Sequence, residues 1–308
     1  MKIALGFLLL LGPFFYCHGQ NIKPALQLIK GQTYYLASTG TSLMTQNVNG
    51  LENRTAVTLS YRVGFKIIGI KDTIYFIEAS YLSVGMTIHT GDTSITMDSR
   101  KNDNLDTLSS IATGMVNKPF DITLSASGKV YSVGNLDKII ASLFYKYPQL
   151  DSAKKEQLKN RFIQSFGENT LKSGLEMGVA VFPGTPVNKN YQWVKNTSIG
   201  SPIKINVKTA YRLVEITNDF YQVHGEGTMT ANTDSNSKSA EISGMPARYK
   251  LEGTTLTDIK IDKKTGWPME LIIKQLMAGE MEILDNLKLP GGKVIPMMLK
   301  AEVTVMDK

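Results

Sequence analysis

Hydrophobic and polar residues alternate along much of this chain, which predicts β-strands. The clearest case is the segment 56–68, where apolar and aromatic residues share one face of a strand and polar or small residues share the other. The residues of the apolar face are Val57, Leu59, Tyr61, Val63, Phe65 and Ile67. Alternation over this length indicates one buried and one solvated face, as in an antiparallel sheet.

Further alternating segments predict several antiparallel hairpins. The segment 75–90 follows the first strand across a turn at 71–73. Hairpins are also expected at 120–133, 203–229, 255–277 and 280–306, because each of them pairs two alternating runs around a polar or glycine-containing turn. The second half of 75–90 is expected to have an apolar face opposite Tyr81, formed by Leu82, Val84, Met86 and Ile88. Strands of this length favour a curved sheet.

The hydrophobic period changes to that of helices over 135–177. Asn135 is the predicted N-cap of a first helix, which Pro148 ends. A second helix is expected to begin at Asp151 and to end at Gly167, and a third to cover 169–177. The first two helices carry apolar stripes made of Leu136, Ile139, Ile140, Leu143, Phe144 and Tyr147, and of Leu158, Phe162, Ile163 and Phe166. A shorter helix is expected around Leu105, Leu108, Ala112 and Met115.

Together these patterns predict an α+β fold. We expect a large, curved antiparallel β-sheet, shaped as a half-barrel, with the mid-chain helical block packed on one of its faces. No linker divides the sequence after residue 19, so 20–308 is predicted to form a single β-rich domain with a helical insert at about 135–177.

The first nineteen residues have the layout of a secretory signal peptide. Lys2 gives a positive start, 3–15 is mainly apolar, and the small residue Gly19 fits cleavage before Gln20. The apolar run is shorter than the roughly 20 residues of a membrane span, and no transmembrane segment is expected in the mature chain. We therefore expect export to the periplasm or the extracellular space. Cys17, the single cysteine, allows a lipoprotein alternative, which Tyr16 disfavours because a small residue normally precedes the lipidated cysteine.

Composition excludes some classes of partner. The formal net charge is +7, but the lysines are spread along the chain, which favours an evenly solvated surface over a patch for anionic lipid or polysaccharide. Nucleic acid is not expected as a partner, because no basic stripe with interleaved aromatic residues occurs.

No catalytic motif is evident, and we expect neither an enzyme nor a cofactor. His224 and Glu226 fall on the same side of a strand, but no nucleophile lies within sequence reach. The expected mature chain, 20–308, has no cysteine and no closely spaced histidine pair for a zinc site. Asp98, Asp103 and Asp106 do not have the spacing of a calcium loop, so no metal is expected.

Several short motifs are shared with a known group of secreted proteins. They are 118–125 with 128–130 ahead of the helix pair, 182–187 leading to Trp193, and 265–268 (Thr-Gly-Trp-Pro). With its signal peptide, the chain resembles an uncharacterised family of secreted or periplasmic proteins from Bacteroidota over most of its mature length. The resemblance implies an architecture similar to the lipoprotein-carrier (LolA-like) group, in which helices pack on the concave face of a half-barrel and acyl chains lie between them. It implies no functional residue, because the family has no established activity.

Two functions remain open from the sequence, and a hydrolase ranks below both. One is the binding of a hydrophobic or lipid ligand between the sheet and the helices. The residues expected to line that site are Val57, Leu59, Tyr61, Val63, Phe65, Leu136, Ile140, Phe144 and Phe162. The other is a structural or interaction module with a solid core and an envelope protein as its partner. Cavity volume decides between them, since ligand pockets have volumes of roughly 300 Å³ or more.

Overall fold

A computed structural model describes residues 21–101, 106–147, 151–200, 203–232, 240–242 and 245–307. The predicted signal peptide 1–19, with Cys17, lies outside these residues. Asp103 of the calcium candidates and the helix residues Leu105 and Pro148 also lie outside the described ranges.

Thirteen strands of the described residues form one antiparallel sheet. The strands are β1 (Thr33–Val48), β2 (Leu51–Lys71), β3 (Ile74–Thr90), β4 (Thr93–Asp98), β5 (Phe120–Ser125), β6 (Val130–Gly134), β7 (Gln192–Gly200), β8 (Lys204–Ile216), β9 (Phe220–Asn232), β10 (Ala240–Ile242), β11 (Met245–Asp262), β12 (Pro268–Ile283) and β13 (Lys293–Met306). Their spatial order is β6-β5-β3-β2-β1-β13-β12-β11-β9-β8-β7, with β4 beside β3 and β10 beside β11. The sheet is open, with β6 and β7 at its two ends.

Four α-helices accompany the sheet in this part of the chain: α1 (Thr107–Met115), α2 (Leu136–Leu143), α3 (Ser152–Phe166) and α4 (Glu168–Val179). A short 3-10 turn, Phe144–Lys146, follows α2. The predicted helical block is thus confirmed, and its third helix extends two residues beyond the expected end. No described helix is long and apolar enough to cross a bilayer.

The predicted strand faces are confirmed for β2 and partly wrong for β3. Val63, Phe65 and Ile67 are fully buried on the inner face of β2. On β3, however, Tyr81 is buried together with Val84, and Leu82 is only half-buried. The pairing register between β2 and β3 shifts at this point, which is a β-bulge. The bulge adds one residue to β3 and therefore moves Tyr81 to the inner face.

Two further predictions need correction. Asn135 precedes α2 in a left-handed conformation, and its side chain donates to Asp121 instead of capping the helix. The segment 280–283, expected to begin a separate hairpin, continues β12 without a break.

The two ends of the sheet both reach α4. On β6, the backbone N–H of Val130 donates to the Glu176 carboxylate of α4 at 2.9 Å. On β7, the indole N–H of Trp193 donates to the carbonyl of Val181, just after α4, at 2.7 Å. Because both ends bond to one helix and its C-terminal extension, the sheet wraps around α4.

Buried apolar residues form two clusters on the inner face. The larger lies between the sheet and the helices and includes Trp267, Phe65 and Phe162. The smaller is made by strands alone and is rich in methionine, including Met229, Met277, Met281 and Met297. The helices thus cover one part of the inner face, and the candidate site lies at the border of that part.

Candidate ligand-binding cavity

A cavity of about 300 Å³ lies between the inner face of the sheet and the helices α3 and α4. Four neighbouring strands from the middle of the sheet, β2, β1, β13 and β12, form its floor. The floor residues are Leu59, Tyr61, Ser38, Gly40, Val303, Val305, Leu271 and Ile273. The helices and the end of β7 contribute Gln164, Ser165, Thr170, Ser173, Gly174, Met177, Ile199 and Gly200.

Small residues on facing elements leave this space open. Ser38 and Gly40 occupy successive inner positions of β1, and Ser173 and Gly174 face them from α4. A Cβ atom on Gly174 would lie 3.3 Å from the Tyr61 hydroxyl, so the helix backbone closely approaches the end of that side chain. Larger side chains at these four positions would fill the volume, as in an ordinary close-packed core.

The cavity wall is mainly apolar and carries a few hydroxyl groups. Tyr61 hydrogen-bonds to Ser38, and its ring makes an edge contact with Tyr81 at 5.9 Å. Burial raises the pKa of the Tyr61 phenol, and the bond to Ser38 opposes that rise. Tyr61 is therefore neutral at physiological pH and suits hydrogen bonding rather than base catalysis. An apolar wall with few polar groups is typical of small-molecule sites.

Of the nine residues predicted to line a ligand site, Leu59 and Tyr61 line this cavity. Val57 lies half-buried on the same face of β2, outside the cavity wall. Val63 and Phe65 lie deeper in the core, where Phe65 packs on Trp267 at 5.4 Å between ring centres.

The four predicted helix residues are core residues outside the cavity wall. Leu136 and Ile140 are fully buried in α2, and the rings of Phe144 and Phe162 meet edge to face at 5.5 Å. The structure thus groups them with the aromatic core beneath α2 and α3, away from the cavity.

The contributions of β1, β13, β12 and α4 to the cavity were not predicted from the sequence. Pairing between β1 and β13, which sets Gly40 opposite Val303, joins distant parts of the chain and has no local signature. One local signal for the cavity was present in the sequence. Ser38 and Gly40 are small residues at consecutive inner positions of an alternating segment. Glycine inside a strand often marks the close approach of a ligand or another chain segment.

A polar groove adjoins the mouth of the cavity. It has a volume of about 450 Å³ and runs between α4 and the β7 end of the sheet. Ser173 and Gly200 line both the groove and the cavity, so the two spaces are contiguous. The other residues of the groove are Asn169, Lys172, Glu176, Ser198 and Lys204.

The histidine and the acidic residue considered for catalysis lie outside the cavity wall, on the opposite face of the sheet. His224 Nδ1 is 2.7 Å from Asp258 Oδ1 and Nε2 is 3.3 Å from Glu226 Oε1. Asp258 raises the pKa of His224 more than any other group does. The His224, Asp258 and Glu226 side chains are partly exposed on the outer face of the sheet, where an ionic cluster of this kind favours a protonated imidazole.

Two of the three aspartates considered for calcium are engaged in local contacts. Asp98 forms a two-point ion pair with Arg100, and Asp106 caps α1 by accepting from the N–H of Leu108. Over the described ranges, no three His, Cys, Asp or Glu side chains come together in a way that would hold a metal ion.

Comparison with solved structures gives only distant likeness. A chain described in a structure of lipid–protein interactions in lipovitellin shares 10% identity and a TM-score of 0.45, over 92% of this chain and 25% of that one. This chain therefore spans about a quarter of the length of that protein. An outer membrane channel from Pseudomonas putida F1 also shares 10% identity, with a TM-score of 0.26 over 91% of this chain and 97% of the channel.

Sequence comparison places the chain more firmly. No curated protein matches it. Residues 72–268, which include the whole helical block and the strands β3 to β11, match a described family. On this evidence the chain belongs to the family of unknown function DUF6263.

Proposed function

We propose that this protein is an exported envelope protein that binds a hydrophobic or lipid ligand between its sheet and helices. The observation that carries the proposal is the apolar cavity of about 300 Å³ beneath α3 and α4. Close-packed interiors have few voids larger than a water molecule, so a space of this size in the middle of the sheet favours a ligand site.

The proposed architecture is an open half-barrel similar to the lipoprotein-carrier (LolA-like) group. Two contacts support it, the bonds that bring β6 and β7 to α4 and its extension. In that arrangement, the helices form a cover over the concave face, and an acyl chain lies beneath the cover.

The cavity volume limits the size of the ligand. A liquid water molecule occupies about 30 Å³, and a methylene group is of similar size. The space of about 300 Å³ therefore accommodates on the order of ten heavy atoms. A volume of this size fits one medium-length acyl chain and is too small for the full burial of a lipid with two chains.

Lipid analysis of protein purified from the native envelope tests the proposal. We expect native mass spectrometry and solvent extraction to detect a copurified apolar ligand on the wild-type protein. The matched variant is Gly174→Leu, which places a side chain into the cavity from α4. Glycine is a poorer helix former than alanine by about 0.8–1.0 kcal/mol, and the Tyr61 hydroxyl is the one atom that a Cβ at position 174 would crowd, at 3.3 Å. With a small shift of the Tyr61 side chain, this variant should fold and lose the ligand.

Gly134→Ala in β6 serves as a control, because a Cβ there would have no other atom within 4 Å and Gly134 lies outside the cavity wall. Equal ligand content in the wild-type protein and Gly174→Leu, or no ligand in either, would overturn the binding proposal.

Export is the second part of the proposal. The resemblance to secreted Bacteroidota proteins and the layout of residues 1–19 support cleavage after Gly19, with Gln20 as the first mature residue. Intact mass measurement of envelope protein tests this. A mass that includes Met1, or one with acyl chains on Cys17, would contradict cleavage at Gly19.

One observation favours the alternative of an interaction module with a solid core. The part of the core beneath α2 and α3 is filled by aromatic rings. The ring of Phe166 contacts those of Tyr81 and Phe162, and each pair of ring centres is 6.3 Å apart. If the native protein carries no ligand, this packed core and an envelope protein partner become the better account.

A further inference from the structure

The groove at the cavity mouth carries an excess of positive charge. Lys172 of α4 and Lys204 of β8 both line it, and Glu176 is the only acidic residue among its described lining residues. Glu176 Oε1 already accepts the backbone N–H of Val130 at 2.9 Å. Among the described residues, neither lysine has a carboxylate partner within salt-bridge distance.

Neutral hydrogen-bonding groups surround the two lysines. Asn169 lies one helical turn before Lys172 on α4, and Ser173 of α4 and Ser198 of β7 also line the groove. Ammonium, amide and hydroxyl groups can all donate hydrogen bonds to the oxygens of a carboxylate or a phosphate. The groove is therefore suited to a compact anionic group.

The polar groove and the apolar cavity meet at Ser173 and Gly200. A molecule that occupied both spaces would have an apolar chain at one end and a polar group at the other. We infer that the ligand is an amphiphile with a single medium-length chain in the cavity and an anionic head group held by Lys172 and Lys204. This inference rests on the proposed function, since it specifies the ligand class of the same cavity.

Amphiphiles with one chain and different head groups test the inference. The delipidated mature protein is titrated calorimetrically with decanoate, decyl phosphate, decyl maltoside and decyltrimethylammonium, each below its critical micelle concentration. We expect the two anionic probes to bind most tightly and the cationic probe most weakly. Comparison of decanoate with decyl phosphate separates a carboxylate head group from a phosphate.

Lysine substitutions identify the groups responsible. Lys172→Ala and Lys204→Ala should each weaken anionic binding by about fivefold, the upper range for a partly exposed ion pair. Neither should change the affinity for decyl maltoside. Lys172→Arg should restore most of the anionic preference. Lys154→Ala, at an exposed position of α3, makes the same change in net charge outside the groove and should have no effect.

The outcomes separate this inference from the proposed function. Equal binding of all head groups that is abolished by Gly174→Leu would overturn the anionic head group and leave the apolar site intact. Preference for the cationic probe would also overturn it and assign the groove to Glu176. Absence of binding by every probe would overturn both proposals.

Discussion

Trp267 is the largest fully buried side chain of the structure. Its ring packs against Tyr34 and Phe65, with ring centres 5.3 and 5.4 Å away. Its indole N–H donates to the carbonyl of Tyr35 at 3.1 Å. Trp267 lies between β11 and β12. Its ring contacts therefore link this connection to β1 and β2, and its hydrogen bond links it to the backbone of β1.

Truncation of Trp267 should be severely destabilising. Trp267→Ala removes a buried aromatic ring and leaves a cavity, which typically costs about 3–5 kcal/mol. Urea unfolding followed by circular dichroism measures the loss. The exposed Tyr145, which is 82% accessible, is the control, and Tyr145→Ala should change the free energy of unfolding by less than about 0.5 kcal/mol. Equal effects of the two substitutions would contradict the packing described for Trp267.

Because of Tyr211, the stability of the folded protein should decrease as the pH rises in the alkaline range. Burial raises the pKa of Tyr211 from the usual 10.0 to about 12, and the hydrogen bond to Thr209 opposes the rise. The folded state thus holds the phenol proton more tightly than the unfolded state. This contribution to stability is complete below pH 10 and is lost as pH rises through about 12.

The size of this pH effect follows from the shift. A difference of about two between the pKa values of Tyr211 in the folded and unfolded states corresponds to roughly 3 kcal/mol of stability. We expect Tyr211→Phe to lose less stability than the wild-type protein between about pH 9 and about pH 11.5 in urea unfolding. Parallel losses in both proteins would show that Tyr211 does not titrate with a raised pKa.

At the scale of elements, the N-termini of α2 and α4 cap each other. The N–H of Glu168 donates to Asp137 Oδ1 at 2.9 Å, and the N–H of Asp137 donates to Glu168 Oε1 at 3.4 Å. Each helix thus supplies a carboxylate to the other's free N–H groups, where the helix dipole also favours negative charge. Gly167 permits this approach, since a Cβ there would overlap the Asp137 carboxylate and the carbonyl of Ile163.

Loss of this reciprocal capping should weaken the cover of the cavity. Asp137→Ala should cost about 1–2 kcal/mol of stability, and Asp137→Asn, which keeps an acceptor, should cost less. A double-mutant cycle with Glu168→Ala in chemical denaturation should give a coupling energy of at least about 0.5 kcal/mol. Simple additivity of the two alanine substitutions would argue against mutual capping.

Most elements could be predicted from the sequence because their signals are local. Alternation fixed the inner face of β2, and Asp151 caps α3 as expected by accepting from the N–H of Lys154 at 2.8 Å. The bulge at Leu82 was not predictable, since it depends on the register with β2. The cavity wall was predicted only at Leu59 and Tyr61, because its other strands meet through long-range pairing.

At the scale of the whole molecule, α4 and its extension connect the two ends of the sheet. We expect this connection to make residues 20–308 unfold as one unit. The two tryptophans report on different places, Trp193 at the β7 end and Trp267 in the centre. Fluorescence and circular dichroism should therefore give coincident urea transitions. Separate midpoints for the two signals would indicate two independently stable parts.

The pairing of β1 with β13 has a consequence for the order in which the protein can fold. Ala37 lies opposite Met306, so the middle of the sheet joins two strands that are far apart in the sequence. As the polypeptide is synthesised, one edge of β1 has no neighbour until almost all the remaining strands have been made. Folds dominated by such distant contacts form slowly. The floor of the cavity, to which β1 and β13 both contribute, is therefore complete only after β13 has been made and has paired with β1.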